Sequence, residues 1–523
     1  MSDNETQREF QSVGKPHYWQ RDPEPITNIV GEETVDVVVL GAGIAGCIAT
    51  QSVAESGASV ICAEKFDHPT SHGTDVAAVN SIVSDREGVH IDPHEAARLV
   101  YQWSQQQANY NLIRIWAERS GEVVSHYVEM AEAAGYTVRL NFWLTARADW
   151  YDLDEKYRIL RTPHLFDVPE GSPIKRERWN ATYLVNVAYE DAVRRGARFM
   201  FNTPAVRLVR DEESGRVTGA IVKTDDGYKL LRARRGVILA TGGITDNDEM
   251  KECFCPMSLR ADKNENYPKG GNMGDGLVMG KWIGAAFSRC YPAPIIHPVN
   301  LSVLGPGMAS SWLIVNRDGK RFMNEVAWEP MITNARLNAP GNVAWAIWDA
   351  DYLKYFEKKE PAVFSGLPEN TPELVEECVS KGEYVKADTL EGLAGKIGVP
   401  VGNLVATVER YNELADSGVD EDFGVPERFL SPCRRGPFYA TRISAWLLSI
   451  PYGLHVDDNS QVCDEDDEPI PGLYAVGNVQ GDFWANSYPV TCPGSSHGRS
   501  VTFGRLVGCA LAKGENIDGT QAM

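Results

Sequence analysis

Three groups of residues in this 523-residue chain have the types and spacings that do chemistry. Gly41, Gly43 and Gly46 form a Gly-x-Gly-x-x-Gly run directly after the β-branched stretch 35–40. In such a run the first glycine permits a tight turn and the second lets backbone approach a pyrophosphate. The third lets the following helix pack closely on the strand. Glu64, at the end of a second apolar stretch, is placed to accept hydrogen bonds from ribose hydroxyls. The second group lies in segment 319–331, Gly-Lys-Arg-Phe-Met-Asn-Glu-Val-Ala-Trp-Glu-Pro-Met. There Glu329 serves as an acid or base if it is buried with a raised pKa, and as a turn residue before Pro330 if it is exposed. The third group, Cys492, Ser495 and His497, has the residue types of a nucleophile site.

These residues need elements to hold them. Residues 34–65 read as strand, small-residue helix and strand, which rests a pyrophosphate on the helix N-terminus, where free N–H groups and the dipole favour negative charge. Segment 235–246 is an apolar strand ending in Ala240-Thr241-Gly242-Gly243, and Gly274-Asp275-Gly276 opens a helix. Segment 470–484 is a strand ending at Gly477, close to the C-terminus. A site in two sequence pieces, closed by a C-terminal strand that returns to the N-terminal unit, suits an extended FAD rather than NAD. Residues 202–227 read as a β-hairpin with turn signals at 211–215 and 225–227.

The bulk composition narrows the function. Fifty-one basic against 72 acidic residues give a net charge of −21, which argues against nucleic acid or anionic membrane as a partner. No apolar run is long enough to span a bilayer. The polar N-terminus lacks an apolar core or twin arginine, so a cytoplasmic location is expected. Ten cysteines show neither a disulfide framework nor zinc or haem spacing, so they read as reduced thiols and no metal site is expected.

At these residues the chain resembles the fumarate reductase/succinate dehydrogenase flavoprotein family, whose soluble branch includes urocanate reductase and the ketosteroid dehydrogenases. The resemblance spans about residues 35–508. It implies an α/β fold: a glutathione-reductase-like Rossmann FAD domain interrupted by an α+β capping domain. The implied boundaries are an N-terminal extension 1–29, FAD domain 30–285 and 438–515, cap 286–437 and tail 516–523. The aromatic His17-Tyr18-Trp19 is expected to clamp the extension onto the body.

By the same resemblance FAD is held by Gly41, Gly43, Gly46, Glu64 and Lys65, and by His72, Gly73, Ala77 and Ala78 in a loop. Ala240, Thr241, Gly242 and Asp275 follow, with Val206 against the adenine. Gly477, Asn478, Gly494, Ser495, Ser496 and His497 complete the site, the last helix presenting its N-terminus to the flavin O2 edge. Ser495, His497 and Cys492 are then not a nucleophile site. Ala77-Ala78 replace the glycine pair that follows the flavin-linking histidine of membrane-bound relatives, and His72 falls one position from that histidine. Non-covalent FAD is therefore expected.

The resemblance also implies the reaction, in which hydride passes between flavin N5 and the β-carbon of an activated C=C bond. A positioned acid or base handles the α-carbon proton, and hydrogen-bond donors stabilise the enolate. Segment 316–325 matches a family loop that carries an arginine or tyrosine four residues on, where this chain has Glu329. His297 stands at a substrate-histidine position, Ser449 at that of a second clamp histidine and Thr491 at that of the clamp arginine. Without that arginine a carboxylate loses its bidentate partner, so fumarate or succinate is not the expected substrate. Tyr488, or else Tyr452, is a candidate donor to a substrate carbonyl. Aromatic residues in 140–152 and 482–488, with Trp328, suit a planar or bulky apolar substrate. The expected function is reduction of an enone- or enoate-like small molecule that is not a dicarboxylate, with an unidentified electron donor. The alternatives are a ketosteroid-type dehydrogenase in the oxidative direction and a non-enzymatic FAD-binding protein.

Overall fold

The computed structural model describes residues 17–141, 158–297, 312–359 and 371–521. Most of the aromatic stretch 140–152 and residues 298–300 of the His297 segment lie outside them. With strands numbered in chain order, β1 (Ile29–Leu40) is central to the largest sheet. It pairs in parallel with β2 (Val60–Ala63) on one side and β9 (Gly227–Leu239) on the other. Beyond them β6 (Arg198–Met200) joins β2, and β18 (Pro469–Ala475) joins β9, again in parallel. Val37, Val38, Val39 and Leu40 are wholly buried, the pattern of a parallel strand covered on both faces. The C-terminal strand does return: Leu473, Tyr474 and Ala475 of β18 lie beside Val237, Ile238 and Leu239. The hairpin β7 (Ala205–Arg210) and β8 (Val217–Thr224) extends β9, as the turn signals predict.

A second core has its own antiparallel sheet. β12 (Leu313–Asn316), β13 (Ala344–Trp348), β15 (Phe438–Arg442) and β14 (Val385–Ala387) lie in that order. The helices Leu390–Ile397 and Val401–Ser417 contribute Leu393, Leu404 and Tyr411 to its core. A three-stranded sheet, β10 (Lys263–Asn264), β16 (Trp446–Ser449) and β11 (Ile295–His297), adds Ile295, Ile296 and Leu447 to the first core.

Two charges of segment 319–331, Arg321 and Glu325, are structural. The Arg321 side chain is only 5% exposed and forks onto Glu325, at 2.9 and 2.7 Å, and onto Asp420, at 3.1 and 2.8 Å. Its guanidinium also lies over the rings of Tyr411 and Phe423. The N-terminal segment is clamped as expected: Trp19 is buried and the Trp282 indole donates to Arg21 O at 3.0 Å. Among the described residues no helix is long and apolar enough to cross a membrane.

Candidate functional site

At the carboxyl end of β1 the glycine run does what its spacing requires. A Cβ on Gly46 would stand 1.8 Å from Gly41 O, so only glycine lets the helix Ile44–Glu55 approach. A Cβ on Gly43 would meet nothing, and Gly43 caps that helix without a side-chain bond, leaving its first N–H groups without a side-chain acceptor. Glu64 is buried, accepting from Ala42 N at 2.5 Å and Phe66 N at 2.9 Å. Each oxygen keeps a lone pair for a further donor. Lys65 pairs with Asp275 at 2.8 Å, which ties the second strand to the helix Asp275–Lys281. Val206 is half-buried in β7, and Ala240 follows β9, its N–H donating to Leu40 O. Gly242, with φ of +77°, lies against Asn272, whose Oδ1 accepts from Gly243 N.

The loop after β2 runs under the C-terminal helix Ser495–Lys513. Ala77, in β3 (Val76–Ala77), donates to Gly494 O at 3.0 Å, and Ala78 donates to Thr162 O. His497 ties the two segments: its ring nitrogens lie 2.8 Å from Asp75 O and 2.9 Å from His72 O. Gly73 sits directly against that ring. His72 packs edge-on against Trp179, and its buried Nε2 has no partner. Burial, then the charges of His497, Arg178, Lys269 and His297, hold His72 down at about 3, so it is neutral throughout the working pH range. Ser71 Oγ and Thr241 Oγ1 are likewise buried without a partner. Together with the empty space beside Gly43, these atoms fit FAD. Gly46→Ala is expected to yield folded protein without yellow flavin absorbance, checked by spectra against the parent.

Tyr488 and Arg499 give the other end of the site its electrostatics. The Tyr488 oxygen accepts from Ser495 Oγ and from Ser496 N, both at 3.0 Å, at the helix N-terminus. Its lone pairs are used while its own proton is left to donate. Burial raises the phenol above its ordinary value, so it stays protonated. Arg499 is 1% exposed and, among the described residues, has no carboxylate partner. It donates to Gln480 O at 3.2 Å and Asn478 Oδ1 at 3.0 Å, and lies 4.3 Å over the Trp484 ring. Burial lowers its guanidinium to about 9, which still leaves it charged at neutral pH. Asn478, beside Gly477 at the end of β18, donates onward to Ser449 Oγ at 3.0 Å.

Not every expected residue joins this cluster. His297 ends β11 and lies close enough to His72 to affect its charge. Glu329 is the first residue of the helix Glu329–Asn338, which Thr333 fastens to β11 through Ile296 O at 2.9 Å. The Glu329 side chain itself lies outside the described residues. Tyr452 packs elsewhere, against Phe254 at 4.9 Å and Phe287 at 6.3 Å, facing Asp482 and Cys290. Cys492 is wholly buried, and burial raises its thiol to about 12, unlike a nucleophile. The sequence reading missed Asp75, whose carboxyl burial raises to about 6, and Arg499. An arginine in the first turns of a helix reads as solvated, and only the packing puts Arg499 inside. Among the described residues no group of His, Cys, Asp or Glu could hold a metal ion.

A two-piece parallel sheet with an anion cradle at its carboxyl edge defines a dinucleotide-binding flavoprotein frame. The FAD binding domain model matches residues 36–492, and the chain belongs to that family. It is 28% identical to a 3-oxosteroid 1-dehydrogenase of Mycolicibacterium smegmatis, over 92% of this chain and 98% of that one. It is also 28% identical to a fumarate reductase (cytochrome) of Shewanella frigidimarina, over 95% and 82% of the two chains. The solved 3-ketosteroid dehydrogenase of Rhodococcus jostii that acts at the Δ4-(5α) position shares the fold, with a TM-score of 0.72, 24% identity and coverage of 94% and 99%. The chain is therefore an FAD-dependent oxidoreductase acting on CH–CH bonds.

Proposed function

We propose that the protein transfers hydride between non-covalently bound FAD and the α,β-bond of a carbonyl-activated, non-dicarboxylate small molecule, with alkene reduction the leading direction. The FAD unit comprises residues 30–285 and 438–515, and the cap residues 286–437. The observation that carries this reading is the Tyr488 phenol, fixed by two donors with its proton left to give, beside the buried charge of Arg499. A donor and a fixed cation at one point stabilise the negative charge that develops on a carbonyl oxygen as the adjacent bond is reduced.

The residues divide the work as follows. Gly41, Gly43 and Gly46 would receive the pyrophosphate and Glu64 the ribose, and Ser495 and Ser496 would present the N-terminus of the last helix to the flavin. The flavin supplies the hydride. Tyr488 binds the substrate carbonyl oxygen, and His297, at the end of β11, orients the substrate. Thr491, wholly buried, offers a hydroxyl in place of a charged clamp, and a hydroxyl does not hold a carboxylate as a guanidinium does. Glu329 is the proton donor or base. Glu329→Gln is expected to slow turnover about a hundredfold with FAD retained, the lower range for a positioned acid; unchanged turnover removes Glu329 from the reaction.

The oxidative alternative uses the same groups in reverse and is favoured by the likeness to 3-oxosteroid 1-dehydrogenase over almost the whole of both chains. Stopped-flow mixing of the photoreduced protein with enones, enoates and 3-ketosteroids, and of the oxidised protein with saturated ketones, separates the directions. Enones should reoxidise the flavin faster than oxygen does. If no acceptor does so while saturated ketones reduce it, the oxidative reading replaces this one.

A further inference from the structure

Away from the cofactor site, the clamped N-terminal segment meets the helix Asp248–Phe254 in an arrangement that nothing in the flavin chemistry uses. Among the described residues, which include all ten cysteines, Cys253 is the one that is exposed. Its Sγ lies 3.1 Å from His17 Nε2, and His17 Nδ1 lies 2.6 Å from Glu249 Oε1. A thiol within reach of an imidazole whose other nitrogen is held by a carboxylate is the geometry of an activated nucleophile. His17 is placed by more than this pair. Its ring stacks on Trp19 at 4.4 Å and 4°, its backbone N–H donates to Gln20 Oε1, and Trp19 is anchored in the core.

We propose that Cys253, His17 and Glu249 form a thiol–disulfide exchange site for small neutral or cationic disulfides. Cys253 Sγ passes its proton to His17 Nε2 and attacks one sulfur of R–S–S–R. The S–S bond breaks as the Sγ–S bond forms, and the departing thiolate takes the proton from His17 and leaves as R–SH. Cys253 is oxidised to a mixed disulfide, and the leaving half of the reagent is reduced. The charge preference follows from the surroundings. Glu249 and Glu252 face Cys253, whereas Lys251 is tied to Asp248 at 2.7 Å. The neighbouring Tyr18 phenol, near Glu249 and Asp275, accepts from Asn247 Nδ2. Burial and the two glutamates raise the thiol above its ordinary value, so Cys253 reacts by passing its proton to His17 as it attacks rather than as a standing thiolate.

The test uses the FAD-loaded full chain with cystamine, hydroxyethyl disulfide and glutathione disulfide as probes, followed by intact mass and peptide mapping. One adduct on Cys253 is expected, formed fastest with cystamine and slowest with glutathione disulfide, and absent in Cys253→Ser. His17→Asn should slow the reaction about tenfold at neutral pH, because an ordinary thiol is there only a few per cent thiolate. In His17→Asn, which lacks the base, the rate should show only a single rise toward the alkaline titration of the thiol. Where His17→Asn undocks the segment, seen as altered tryptophan emission, Glu249→Gln decides, with an expected loss of several-fold because it removes the carboxylate that orients the imidazole. Equal rates and pH profiles in parent and variants, an adduct on another cysteine, or preference for the anionic disulfide overturns the proposal.

Discussion

Tyr488→Phe is expected to lower kcat on a carbonyl-activated alkene by about 10²–10³-fold, the usual cost of removing one donor from a developing oxyanion. The ring should keep its place, because its edge contact with Trp484 at 5.0 Å does not involve the hydroxyl. FAD should also stay bound, since Ser496 N remains at the helix N-terminus for another acceptor. The loss should appear in kcat more than in KM, because the donor matters most when charge reaches the oxygen. Rapid-reaction reoxidation of the reduced variant by an enone measures the step directly. A rate within a few-fold of the parent, with FAD in place, would falsify the assignment of Tyr488 to the carbonyl.

Arg321→Leu is expected to destabilise the cap by about 3–5 kcal/mol, the range for removing one partner from a buried ion network. Two carboxylates are left behind: Glu325 is wholly buried and Asp420 is 6% exposed. The pH dependence follows from their opposite shifts. Burial opposes it, but the Arg321 bonds hold Asp420 down at about 2, below its ordinary 3.8. Its stabilising contribution is therefore present above pH 3.8 and is lost as pH falls toward 2. Burial raises Glu325 despite Arg321, so its charge is a cost that acid relieves in part. Acid unfolding of the parent should steepen below pH 3.8, and Arg321→Leu should flatten that limb while lowering stability at neutral pH. Urea titrations monitored by tryptophan fluorescence at several pH values would show it. A loss under about 1 kcal/mol would mean that the site collapses onto Tyr411 and Phe423 without the cation.

The two halves of segment 319–331 show how far sequence alone reaches. Its motif marks a structural loop, but mixed charge beside a proline reads as a solvated turn. The burial of Arg321 depends on Asp420, 99 residues later, so no local pattern encodes it. Arg499 is hidden for the same reason: its carbonyl, amide and ring partners converge only when β18 closes against β9. Tyr488 was legible as a phenol near the end of the chain, but not its two donors. Tyr452, equally plausible by type, packs among phenylalanines instead.

By itself the sequence determined the cofactor frame, because strand periodicity and glycine spacing are local and set by backbone geometry. The tight turn at Gly41, the close helix at Gly46 and the acid at Glu64 work within one strand–helix–strand unit. The returning strand was also legible, since an apolar run ending in glycine carries its own signal. Only the tertiary structure decided which charges are buried, which histidines are neutral and which phenol keeps its proton beside a cation. Those properties depend on desolvation and on partners distant in the chain, and neither is written in residue order.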